Sequence, residues 1–154
     1  MKTTVLAIMI PLAAISLEAK AGNVLPNGVE PLSSQQVTDR YSGYTVGLDL
    51  GGMFFSPDGT VKAYFIISNA EEIGAGKWVV NGNEFCFNVS WKSRQHSMTE
   101  VKCKKVYKLG ADTIIQETLD TCSNYLSVYP DTQFFYKGDK VSDKYTAIKK
   151  LISQ

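Results

Sequence analysis

Cys86, Cys103 and Cys122 have the plainest chemistry in this chain: three thiols, of which two can pair in an oxidising compartment and leave one over. Three pairings are open on spacing alone. A hairpin centred near Arg94 and Gln95 sets Cys86 directly opposite Cys103, at a separation a disulfide accepts, and so favours that pair. The same stretch is the most unevenly charged in the chain. Residues 92–108 carry Lys92, Arg94, Lys102, Lys104, Lys105 and Lys108 against Glu100. Such a patch suits an anionic partner, and equally a solvated ribbon that resists pairing with other strands.

Aromatic residues offer a different capability, the enclosure of apolar matter. Phe54, Phe55, Tyr64, Phe65, Trp78, Phe85, Phe87 and Trp91 all fall in predicted strands. Phe65, Trp78, Phe85 and Phe87 are the row expected to fill a barrel interior or to line a small apolar cavity within it. His96 is the only histidine and reads as an exposed loop residue, so neither a histidine-based triad nor a histidine-rich metal site is expected. No Gly-x-Ser-x-Gly elbow, phosphate-binding glycine loop or calcium loop occurs, and no cofactor is implied. Cleavage by two carboxylates needs no local signature and stays open as the enzymatic alternative.

The elements that must position these groups follow from periodicity. Residues 1–21 read as a signal peptide: Lys2 is the basic n-region, residues 5–17 are mostly apolar, and Ala19-Lys20-Ala21 has the small-x-small form of a cleavage site. The apolar run is shorter than the ~20 residues a membrane span needs. Cleavage there would remove Lys2, Glu18 and Lys20 and leave the mature chain formally neutral, which argues against nucleic-acid binding. Export to a periplasmic or extracellular space is the expectation.

Residues 22–31, with Pro26, Gly28 and Pro31, read as a flexible leader. A helix is predicted over 33–41, where Ser33 and Gln36 have capping-box spacing and Leu32 and Val37 flank them as a staple. From Gly43 onward the period is two. Strands are predicted over 44–50, 53–56, 60–67, 77–80, 83–91, 99–107, 112–119, 125–129 and 132–136, with Pro57-Asp58-Gly59 and Asn81-Gly82 as turns. Gly51-Gly52 reads as a flexible turn. Residues 140–154 return to the helical period, with Val141, Tyr145, Ile148 and Ile152 on one stripe, and are expected to pack against the barrel or plug one end.

The fold class predicted is mainly β: one domain over 32–154, a single antiparallel meander β-barrel of eight or nine short strands with a helix at each end. A two-sheet sandwich is the alternative. The favoured cysteine pairing creates a conflict, because it sets Phe85 and Phe87 opposite Lys104 and Lys102. A β-bulge between Ser97 and Val101 is predicted to shift the parity.

The ordered motifs Tyr41-Ser42-Gly43-Tyr44-Thr45-Val46, Phe55-Ser56-Pro57-Asp58-Gly59-Thr60 and Gly76-Lys77-Trp78-Val79-Val80-Asn81-Gly82 are followed by Phe85-Cys86, Trp91, Cys103 and Val106-Tyr107-Lys108-Leu109-Gly110. Together they resemble a family of small exported bacterial proteins catalogued as domain of unknown function 995. The resemblance implies a lipocalin-like barrel and a Cys86–Cys103 bridge, and brings no catalytic residue with it. The additional Cys122 departs from the family pattern.

The function expected is a non-enzymatic binding module, for a small apolar ligand inside the barrel or an anionic envelope component along the basic hairpin. A structural or inhibitory envelope protein, or a carboxylate-based hydrolase, are the alternatives.

Overall fold

Ser33 starts the first helix as its spacing requires. Its Oγ accepts the Gln36 N–H at 3.3 Å, and Gln36 Oε1 accepts the Ser33 N–H at 2.8 Å, so two end donors are satisfied reciprocally. Helix α1 runs Ser34–Tyr41 and buries Val37 and Tyr41. The computed structural model describes residues 24–47, 50–67, 70–111, 113–119, 125–130 and 134–154. The signal-peptide segment, the start of the leader and Cys122 lie outside the described residues.

Among the described residues ten strands follow one another along the chain: β1 Val29–Pro31, β2 Tyr44–Val46, β3 Gly51–Phe55, β4 Thr60–Ile67, β5 Ala70–Asn81, β6 Glu84–Lys92, β7 Ser97–Leu109, β8 Thr113–Leu119, β9 Tyr125–Pro130 and β10 Phe135–Lys137. All pairings are antiparallel, in the order β10-β2-β3-β4-β5-β6-β7-β8-β9. This is the predicted meander, in one continuous sheet rather than a sandwich. Among the described residues no ladder joins β9 to β10, so the sheet is a half-barrel.

Its curl is visible across the concave side. The rings of Phe55 on β3 and Phe85 on β6 lie 5.0 Å apart, although two strands separate their own strands. In a flat sheet that spacing would be about 14 Å. Tyr41 of α1 stacks on Phe85 with centroids 3.9 Å apart, which puts the helix inside the curl.

The leader differs from expectation. Its last residues form β1, paired with β7 from Val29↔Leu109 to Pro31↔Tyr107. The reason is that β7 outruns β6, whose pairing ends at Glu84↔Lys105. The overhang would leave backbone groups unpaired, and β1 covers them.

Three glycines that look like breakers lie within strands. Gly51 and Gly52 open β3 instead of forming a turn, and a Cβ on Gly51 would fall 1.9 Å from Phe65 Cδ1. Strand β5, expected only over 77–80, begins at Ala70, and a Cβ on Gly74 would meet the Trp91 ring at 2.6 Å. These strands need glycine because rings cross their backbones.

Helix α2, Ser142–Ile152, packs on the outer face through the predicted stripe. Val141 and Ile148 are fully buried against Tyr64 and Ile73, with Tyr145 and Ile152 partly buried beside them. Of the two placements expected for this helix, it packs against the barrel. The plug is α1.

Candidate functional site

The concave face gathers rings because alternate residues of β6 point the same way. Phe85, Phe87, Val89 and Trp91 are all buried, and Phe55 joins them from β3. Phe85 is the hub, with Tyr41 stacked on it and Phe55, Phe87 and Trp78 within 5.9 Å. Beside it is a cavity of about 160 Å3. Tyr41, Val46, Met53, Phe55, Phe85 and Phe87 bound it together with Lys104, Gln116, Phe134 and Phe135. Phe134, 54 % exposed, marks its solvent side.

Strand β7 brings charge to the same concave surface. Pairing of β6 with β7 runs without interruption from Glu84↔Lys105 to Lys92↔Ser97, so the predicted bulge does not occur and Lys104 stands opposite Phe85, Lys102 opposite Phe87 and Glu100 opposite Val89. The conflict is met by partners instead. Lys102 Nζ lies 2.9 Å from Glu100 Oε1, and the Trp91 indole N–H donates to Glu100 Oε2 at 3.2 Å. Lys104 Nζ donates to Gln116 Oε1 at 3.1 Å, and Gln116 Nε2 donates in turn to the Tyr41 hydroxyl. Burial lowers the pKa of Lys104, the Lys102 charge adds to the shift, and Glu100 opposes it.

Cys86 and Cys103 form a disulfide between directly opposite positions, with Cα atoms 4.1 Å apart. Of the four predicted cavity rings, the structure brings Phe85 and Phe87 to the cavity. Phe65 instead leans on Trp91 at 5.4 Å, and Trp78 stands edge-on to Phe55 at 6.1 Å while its indole N–H donates to the Ser56 carbonyl at 2.9 Å. Both are partly buried in the same core.

The basic patch does not assemble. Lys102 and Lys104 face inward, whereas Lys105 sits on the outer face between Glu84 and Glu117. The Arg94 guanidinium donates to the Leu151 carbonyl at 3.0 and 3.3 Å, and Lys92 lines a groove that α2 also borders. Charges counted together in sequence are divided between two faces and a helix end.

Sequence reasoning missed Tyr41, Gln116, Met53, Phe134 and Phe135, which come from elements far apart in the chain. It also missed the contacts of His96. Its Nδ1 is 3.0 Å from Ser93 Oγ and its Nε2 is 3.0 Å from Glu72 Oε1. The types are those of a nucleophile, base and acid, yet Ser93 is 5 % exposed and its Oγ already accepts the N–H groups of Gln95 and His96 at 3.2 Å. That hydroxyl closes the β6–β7 turn and is not presented to a substrate. Among the described residues no carboxylate lines the cavity, so these supply no acid pair there for glycoside-type cleavage.

A family model described as protein of unknown function, DUF995, matches residues 7–142. The chain belongs to that family. The DUF995 match takes in every strand, α1, the bridged cysteines and all ten cavity-lining residues, and ends at the first residue of α2. No curated protein and no solved structure matches the chain.

Proposed function

We propose that this protein is an exported, non-enzymatic binding module that takes a small apolar ligand into the concave side of its half-barrel. One observation carries the reading: an aromatic cavity beside the core hub whose lining includes the polar groups of Lys104 and Gln116, the usual composition of a small-molecule site. Its volume corresponds to roughly five waters, so the ligand is smaller than a drug-sized molecule. Export is proposed from the signal-peptide pattern of residues 1–21, and the disulfide agrees with an oxidising compartment. Among the described residues no helix is long and apolar enough to cross a membrane.

Native mass spectrometry of protein purified from its own envelope, followed by denaturation, tests the reading. A released small-molecule adduct is expected. A ligand-free mass, together with unshifted ring resonances of Phe85 and Phe87 on adding hexanol, would overturn it. The alternative of an anionic partner along the basic hairpin lacks a contiguous surface, since its cations divide between faces.

A further inference from the structure

We infer that the ligand is a small apolar carboxylic acid, its carboxylate seated on Lys104 and its hydrocarbon part against Phe85, Phe87 and Phe55. This rests on the cavity reading above and adds the chemistry of the head group.

The head group follows from a count of donors and acceptors. Lys104 has three N–H donors, and Gln116 Oε1 accepts one of them. Because that oxygen faces the ammonium, the Gln116 amide must present its NH2 side to Tyr41, and it does. The amide therefore has no acceptor directed at the ligand. Among the described residues no carboxylate lies within ion-pair distance of Lys104, while the neighbouring Lys102 is matched by Glu100. Lys104 thus brings two further N–H donors to the cavity, and Gln116, its oxygen taken up by the ammonium, offers a ligand no acceptor there. A carboxylate supplies acceptors only, and its charge offsets an ammonium whose burial is otherwise unfavourable. Apolar walls and a single cation select a monoanion with a short hydrocarbon tail.

The test is NMR titration of the full folded protein with hexanoate and with hexanol, which share a tail and differ in head group. Hexanoate is expected to bind roughly tenfold or more tightly than hexanol, and Lys104→Met to remove that advantage of the acid over the alcohol. Equal binding of acid and alcohol, or an acid preference that survives Lys104→Met, would overturn the carboxylate inference and leave the cavity reading standing. Binding of neither would overturn both. Should Lys104→Met fail to fold, a pH titration of 13C-carboxyl hexanoate on the wild-type protein decides: a bound acid that resists protonation to lower pH than the free acid supports the inference, and one that titrates like the free acid overturns it.

Discussion

The two strands of the β6–β7 hairpin line the same concavity with opposite chemistry. On β6 the inward row is Phe85, Phe87, Val89 and Trp91, all buried, while directly across on β7 it is Lys104, Lys102, Glu100 and Met98. Strand β6 obeys the alternation rule, with apolar residues inside and polar ones outside. Strand β7 inverts it, leaving Val101 67 % exposed while its neighbours Lys102 and Lys104 turn inward. The difference shows that a register is chosen for the sheet as a whole. Nine consecutive pairs, a disulfide and a full aromatic core on β6 outweigh the cost of a charged row, provided that row finds partners. It does, in Glu100 for Lys102 and Gln116 for Lys104.

Perturbing each wall, and then the links between them, tests that picture. The aromatic wall should be the most costly to disturb. Phe85→Ala removes the ring on which Tyr41 stacks and is expected to lower unfolding free energy by about 3–5 kcal/mol in urea denaturation. A loss below about 1 kcal/mol would show that the core does not depend on this wall.

The staple comes next. The Cys86–Cys103 disulfide ties the apolar strand to the charged one over a separation of 17 residues. Replacing both cysteines by serine should cost about 3 kcal/mol, read as a lower urea midpoint that added reductant no longer changes. If the serine variant matched the oxidised protein, the register would be held by the strands alone.

The turn between the walls is expected to matter less. Ser93→Ala leaves the N–H groups of Gln95 and His96 without their shared acceptor and should cost about 1 kcal/mol. Faster amide exchange confined to residues 93–97 is the accompanying signature. Protection unchanged from wild type would count against the clamp.

The charged wall should respond least, and in the opposite direction. Lys104→Met removes a half-buried ammonium and is expected to leave the ligand-free protein unchanged or more stable by up to about 1 kcal/mol. A pH dependence sharpens this prediction. Because the folded-state pKa of Lys104 is depressed, the unfolded chain binds the extra proton between the folded and unfolded values. Wild-type stability therefore rises relative to Lys104→Met as the pH climbs through that alkaline window, and the penalty is fully present below the folded pKa. Paired urea titrations from neutral pH upward would show the two curves converging. A gap that widened with pH would reverse the assignment of Lys104 as a desolvated cation.

Where the physics was local, residues announced the structure. Ser33 and Gln36 mark the start of α1, Val141, Tyr145, Ile148 and Ile152 mark the buried stripe of α2, and period-two runs mark the meander. Where contacts were distant, the same rules misread the signal. Gly51 and Gly74 resemble breakers until rings from other strands are seen lying over them, and the leader resembles a tether until β7 is found to outrun β6. Half of the predicted cavity lining was legible, Phe85 and Phe87, because strand parity alone turns them inward. Tyr41 and Gln116 were not, since the chain separates them by 75 positions.

The sequence by itself determined the antiparallel meander, the pair of flanking helices and the apolar face of each, because periodicity, caps and turns act within a few residues. Only the tertiary structure decided how far the sheet closes, which helix enters it, and which way the lysines of β7 point. Those outcomes depend on curl and register, which are set by contacts between residues far apart in the chain: a ring on β3 meeting one on β6, and an amide on β8 reaching a hydroxyl on α1.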